Sequence, residues 1–157
     1  MTTAGLLVLA GCSGAPEPGG AATAADAETA EYAAVEYRQG LMHVMAYKAA
    51  AVREMADGSR PVDEAVFAKS ASDLSAAAGM IVDGFPSGSG VGEVSISNGL
   101  PDIWDNWDDF QAKASALQSA ASEVATLAGR GGFAAAQEAA SNLGGNCGAC
   151  HRPYRQR

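Results

Sequence analysis

Residues 102–128 read DIWDNWDDFQAKASALQSAASEVATLA, and this stretch decides the fold. Apolar residues recur along it at alternating spacings of three and four, the period of a helix with one buried face. The positions on that face are Ile103, Trp107, Phe110, Ala114, Leu117, Ala121, Val124 and Ala128. Because the alternation persists throughout, the stretch predicts a long helix that packs in a helical bundle.

Three further segments, at about 28–57, 61–82 and 133–154, show the same alternation. Pro61 is typical of a helix start, and a loop rich in glycine and serine spans 85–101. The links between the first and second segments, and between the third and fourth, are short, so each pair is expected to be antiparallel. The sequence therefore predicts an all-α fold, an antiparallel up-down four-helix bundle.

The composition supports helices and excludes several classes of function. The chain has 157 residues, of which 35 are alanine and only 6% are aromatic, and this favours close-packed helices over a β-sandwich. The formal net charge is −8, so non-specific binding to nucleic acid is not expected. No apolar run reaches the roughly 18 residues of a membrane-spanning helix.

The N-terminus resembles a bacterial lipoprotein signal. Leu9-Ala10-Gly11-Cys12 follows an apolar stretch and matches a lipobox, in which the chain is cut before the cysteine and the cysteine is lipidated. No lysine or arginine precedes Arg38, although a signal peptide begins with basic residues. We therefore expect that the true start lies upstream or that Met1 is internal. The alternative is a disordered apolar N-terminus with an unmodified thiol.

We divide the chain into three parts on these grounds. Residues 1–12 form the signal-like segment. Residues 13–29 are rich in alanine, glycine and proline and lack large apolar side chains, so they are expected to form a flexible tether. Residues 30–157 are expected to form the folded domain.

Residues 147–151 read CGACH, the C-x-x-C-H motif of covalent haem c attachment. Cys147 and Cys150 would share one helix face, so each could form a thioether with one haem vinyl group, and His151 would be an axial ligand. A zinc site is one alternative, but it needs four ligands and only His43 remains to complete it. A thioredoxin-like dithiol is another, but the strand–helix alternation it requires is absent.

Three more residues are candidates for contact with the haem. Arg38 occupies a core-facing position, where it would either extend to solvent at the end of the bundle or bind a haem propionate. Met42, one turn later, is expected over the face opposite His151, as a sixth ligand or as an apolar plug. Arg155 either pairs with the C-terminus of its helix or lies beside the His151 imidazole.

Together these features resemble the class II c-type cytochromes, and among them the cytochrome c prime family. The resemblance covers about 31–157. It rests on Tyr37-Arg38-Gln39 with Met42 and Met45, on Phe85-Pro86 and its loop, on Pro101-Asp102-Ile103-Trp104, and on CGACH followed by Tyr154-Arg155.

The resemblance implies a left-handed four-helix bundle in the periplasm, often a homodimer, with haem c on Cys147, Cys150 and His151. It implies a five-coordinate iron that binds nitric oxide or carbon monoxide, with Met42 blocking the distal face, and a role in electron transfer with a redox partner that the sequence does not identify. Arg38 would contact a propionate and Arg155 would match the basic residue next to the axial histidine. Related proteins instead use such a methionine as the sixth ligand of a low-spin electron carrier, which is the alternative function. We do not expect an enzyme.

Overall fold

The structure, a computed structural model, describes residues 29–157. The signal-like segment, nearly all of the predicted tether and Cys12 lie outside these residues. The described part contains the α-helices α1 Ala30–Ala56, α2 Glu64–Ala78, α3 Asp102–Asp105, α4 Trp107–Gly129, α5 Phe133–Ala140 and α6 Leu143–Tyr154, together with a 3₁₀ helix, Ile81–Gly84.

The predicted antiparallel four-helix bundle is confirmed. Its four members are α1, α2, α4 and the consecutive pair α5–α6, with α4 packed against α2, α5 and α6, and α1 packed against α2. The core consists of side chains from all four members, and those that are almost completely buried include Val35, Val52, Phe67, Leu74, Phe110, Val124 and Ala136. Burial of a large apolar side chain contributes about 1.5–3 kcal/mol, so this core is the main source of stability.

The beginning of the second helix was predicted wrongly. The helix begins at Glu64, three residues after Pro61, because Asp63 is its N-cap. The Asp63 carboxylate accepts hydrogen bonds from the backbone N–H groups of Ala65 and Val66 at 3.1 and 3.0 Å. A side-chain acceptor for first-turn N–H groups outweighs the preference of proline for a helix start.

The third and fourth predicted helices are each interrupted once. Asn106 separates α3 from α4 with backbone angles of φ −126° and ψ 45°, outside the helical region. Ser141 and Asn142 separate α5 from α6, and their N–H groups bond to carbonyls three residues earlier instead of four. As a result α6, which contains the C-x-x-C-H motif, is a short helix of its own.

The loop after the 3₁₀ helix pairs with the end of α6. Gly99 and Arg155 form an antiparallel bridge, so residues 98–100 lie beside residues 154–156. We call these two short segments and their hydrogen bonds the C-terminal clamp. Among the described residues, no helix is both long enough and apolar enough to cross a membrane.

Candidate haem site

An apolar cavity of about 410 Å³ lies between α1, α2, α4, α5 and α6. Its volume is within the range of about 300–1,000 Å³ that is typical of cofactor sites. Small residues of α1 and α6 leave this space open, since an alanine or glycine side chain cannot fill it. The apolar and small residues of its wall include Ala46, Ala49, Ala50, Leu117, Ala140, Gly144 and Cys147.

The two cysteines of the motif are free thiols on α6. Both are partly buried and packed against the core. Burial raises the pKa of Cys147, and it raises the pKa of Cys150 to about 11. Reactive dithiols have lowered pKa values, so these thiols do not fit the redox alternative. The described residues also contain no group of three or more His, Cys, Asp or Glu side chains that could hold a metal ion, so the zinc alternative lacks ligands.

His151 follows Cys150 directly and is half-buried. Burial, and then the charge of Arg155, lower the pKa of the imidazole. A neutral imidazole is the form that binds a metal, and the lowered pKa favours that form at neutral pH. The Arg155 side chain is exposed, and its backbone N–H donates to the His151 carbonyl at 3.2 Å.

An aromatic cluster fixes the end of α6 next to this histidine. The Tyr154 ring lies edge-on to Phe110, with centroids 5.5 Å apart, and Phe110 also contacts Phe85 and Trp107. The Tyr154 hydroxyl donates to the Asp109 carboxylate, and this raises the pKa of Tyr154 to about 12. The aromatic cluster and this hydrogen bond therefore attach α6 to the first turn of α4.

Met42 and His43 lie on α1 with different surroundings. Met42 is partly buried and packs against the core, whereas His43 is exposed. Met42 is one helical turn before Ala46, which lines the cavity. These positions agree with an inward-facing Met42, while its role as a ligand or a plug stays a prediction.

Arg38 is only 5% exposed, so the predicted extension to solvent is wrong. Its Nη1 donates to the Gly84 carbonyl at 2.9 Å and to Ser89 Oγ at 2.7 Å. Its Nη2 donates to the Ser89 carbonyl at 2.6 Å and to Ser97 Oγ at 2.7 Å. The guanidinium carbon also lies 4.5 Å from the centre of the Phe85 ring. The predicted propionate contact stays a prediction.

Sequence reasoning missed Ser89 and Ser97. Both are buried, at 0% and 5% exposure, in a loop that was interpreted only as polar and glycine-rich. A signal was nevertheless present, because an arginine at a core-facing position requires nearby acceptors and the loop offers several hydroxyl groups.

The site combines two thiols one turn apart, a half-buried imidazole with a lowered pKa and an apolar cavity beside Cys147. These features fit the requirements of haem c. Over residues 33–155 the sequence matches the family model described as Cytochrome C'. The chain belongs to the cytochrome c prime family. Family membership confirms the predicted cofactor, covalently attached haem c. The individual roles of His151, Met42, Arg38 and Arg155 stay predictions.

Similar proteins include cytochromes named c-554 and c-556 and a solved cytochrome c prime. Cytochrome c-554 of Cereibacter sphaeroides is 43% identical over 124 residues, which cover 78% of this chain and 80% of that protein. Cytochrome c-556 of Agrobacterium tumefaciens (strain II Chrys) is 37% identical, with coverage of 77% and 95%. The solved structure titled "Cytochrome c' from Rhodobacter Spheriodes" has a TM-score of 0.74 at 28% identity and covers 82% of this chain and 99% of that one.

Proposed function

We propose that this protein is a periplasmic electron carrier in which His151 and Met42 lie on the two faces of haem c. When bound, the haem supplies a one-electron redox centre, and an open position on its iron would also accept a diatomic gas. The chain's contribution is to favour the neutral imidazole by lowering its pKa, to place an unbranched thioether on the opposite side and to exclude water with apolar walls. The observation that carries this proposal is the inward position of Met42, one turn from the cavity residue Ala46.

The names of the relatives are compatible with an electron carrier, because they are not restricted to cytochrome c prime. The two relatives described above at 43% and 37% identity are named cytochrome c-554 and cytochrome c-556, not cytochrome c prime. A methionine side chain is flexible and its sulfur is a good ligand for haem iron, so Met42 has the chemistry for the sixth position.

Gas binding is the second candidate function. It is favoured by the family model and by the solved structure titled cytochrome c'. The match to that structure covers 99% of the solved chain. In this case Met42 would be an apolar plug that restricts the distal side to small ligands such as nitric oxide or carbon monoxide. Neither candidate function requires enzymatic turnover.

The visible absorption spectrum of the haem-loaded protein separates the two functions. We expect sharp, split ferrous bands that carbon monoxide does not change, as for a low-spin haem with two axial ligands. Met42→Leu keeps the side chain apolar but removes the sulfur, so it should give a high-spin spectrum that responds to carbon monoxide. Met45→Leu, the same change at a buried core position of α1, is the control. A wild-type spectrum that is already high-spin and shifts with carbon monoxide would make gas binding the function.

We also propose that the protein forms a homodimer through one side of α1. Tyr37, Val44 and Tyr47 are 41%, 49% and 73% exposed along that side. Gly40 lies between them, and a side chain there would meet no atom within 4 Å. A glycine on a helix surface costs about 1 kcal/mol relative to alanine, and a close helix crossing would explain it. Sedimentation should show a dimer that Tyr47→Glu dissociates and Val62→Glu, at another exposed apolar position, does not.

Export and lipid attachment at Cys12 complete the proposal. They rest on the lipobox-like sequence at residues 9–12. The mass of the mature protein's N-terminal peptide tests them, since a lipidated N-terminus would begin at Cys12 and carry acyl chains. In the Cys12→Ser variant the acyl mass should disappear while haem attachment persists. An unmodified N-terminus upstream of Cys12 would exclude lipidation.

A further inference from the structure

Arg38 is a buried cation whose N–H donors are satisfied by neutral oxygens. Four N–H groups of its two terminal nitrogens are paired with acceptors of the 3₁₀ helix and the following loop, at 2.6–2.9 Å. Among the described residues it has no carboxylate partner within salt-bridge distance. A buried guanidinium is costly unless its donors are satisfied, so the loop must keep this shape as long as Arg38 stays buried.

The loop transmits this constraint through Ser97. The Ser97 hydroxyl accepts from Arg38, donates to the Ser89 carbonyl at 2.8 Å and accepts from the Gly99 N–H at 3.2 Å. The buried Ser97 hydroxyl therefore connects α1 to Gly99, the residue that forms the bridge of the C-terminal clamp. In addition, the Val91 N–H donates to the Gly99 carbonyl at 2.8 Å, which holds the same residue from its other side.

The C-terminal clamp in turn holds the end of α6. The Leu100 N–H donates to the Tyr154 carbonyl at 3.0 Å, and the Gln156 N–H donates to the Asn98 carbonyl at 2.9 Å. Tyr154 is three residues after His151, so these hydrogen bonds restrain the final turn of the helix that carries the imidazole. This chain of hydrogen bonds begins at Arg38, one turn before Met42, and ends at Tyr154, about one turn after His151.

We propose that Arg38 is a positioning residue: by fixing the loop and the C-terminal clamp, it sets the orientation of the His151 imidazole relative to α1. The inference rests on the proposed function, because it assumes that His151 and Met42 lie on the two faces of the haem. It gives Arg38 a role that needs no contact with the haem. The propionate contact predicted from sequence would have to use the remaining Nε–H or displace a loop acceptor.

Ser97→Ala in the full-length, haem-loaded protein tests this role, because it breaks the connection to Gly99 while Arg38 stays in place with three of its four acceptors. Hydrogen exchange at the Leu100 and Gln156 amides should become about tenfold faster, the effect of losing one hydrogen bond worth about 1.4 kcal/mol. The visible and electron paramagnetic resonance spectra of the ferric protein should shift at the same time. Ser95→Ala, at an exposed position of the same loop, should change neither.

Two results would overturn the inference. The first is unchanged exchange at both amides, which would mean that Ser97 does not support the C-terminal clamp. The second is faster exchange with unchanged haem spectra, which would reduce Arg38 and its loop to a purely structural role. Arg38→Lys is the second variant: an ammonium group cannot serve four acceptors in the geometry of a guanidinium, so it should reproduce both effects more strongly.

Failure of the proposed function would be recognised separately. A wild-type protein whose spectrum is high-spin and shifts with carbon monoxide would refute the proposed electron-carrier function alone. The inference would then be tested on the nuclear magnetic resonance signals of the His151 ring. They should move in Ser97→Ala and not in Ser95→Ala, and unchanged signals in both would overturn the inference.

Discussion

Gly84→Ala is the substitution for which the structure gives the sharpest expectation. Gly84 is buried at the end of the 3₁₀ helix, against α1. A Cβ atom at this position would lie 2.7 Å from Arg38 Cβ, 3.1 Å from Tyr37 Cδ1 and 3.4 Å from Arg38 Cα. The Tyr37 ring can rotate away from the added Cβ. The Cβ and Cα of Arg38 cannot, because their positions are fixed by the backbone of α1. The 3₁₀ helix must therefore move away from α1.

The magnitude follows from two opposing effects. Overpacking of this kind costs about 1–3 kcal/mol, while the reduced freedom of the unfolded chain returns about 0.4–1 kcal/mol. The displacement also lengthens the hydrogen bond from Arg38 to the Gly84 carbonyl. We expect a net loss of about 1–2 kcal/mol, equivalent to a Tm lower by roughly 3–10 °C.

Urea unfolding of the haem-loaded protein, with midpoint and slope fitted together, is the assay. Gly129→Ala is the matched control, since Gly129 ends α4 with no atom within 4 Å of an added Cβ and without a positive φ. It should raise the free energy of unfolding by about 0.4–1 kcal/mol. If Gly84→Ala were as stable as the wild type or more stable, the close contact between the 3₁₀ helix and α1 would be refuted.

Three other predictions concern single side chains. Phe67→Ala removes a fully buried ring that lies edge-on to Phe133 at 5.1 Å, and urea unfolding should show a loss of about 3–5 kcal/mol; a loss under about 1 kcal/mol would contradict the packing. Tyr154→Phe removes the hydrogen bond to Asp109. That bond raises the pKa of Tyr154 to about 12. Its stabilising effect is therefore complete below about pH 10 and declines as the pH rises through about 12. The difference in unfolding midpoint between variant and wild type should be smaller at about pH 11 than at pH 7. Thr29→Ala removes the N-cap of α1, whose hydroxyl accepts a first-turn N–H at 3.1 Å, and should lower the free energy of unfolding by about 1 kcal/mol; an unchanged midpoint would show that the cap is dispensable.

The bundle could be predicted from sequence because its signal is periodic. Along α4, the residues chosen by the alternation of three and four, such as Phe110, Leu117 and Val124, are buried. The interruption at Asn106 could not be predicted in this way, since apolar residues keep the same spacing on both sides of it. A break that preserves the periodicity depends on backbone angles and local hydrogen bonds, which the pattern of apolar residues does not record.

The site was predictable where its chemistry requires a fixed spacing and unpredictable where it depends on long-range contacts. The spacing of Cys147, Cys150 and His151 identifies haem c without any knowledge of the fold. The surroundings of Arg38 depend on Ser89 and Ser97, which are 51 and 59 residues away. Nothing in the local sequence distinguishes a buried loop serine from an exposed one.

The break at Ser141 and Asn142 has a consequence for how the protein recovers from partial unfolding. Because α6 is a short helix of its own, we expect it to open locally while the other helices stay folded. Covalent bonds to Cys147 and Cys150, the predicted attachment residues, would keep the haem on α6 during such an event. Closure is then a first-order process whose rate does not depend on protein concentration or on free haem. Dilution, which strips haem from proteins that hold it without covalent bonds, should leave this one intact.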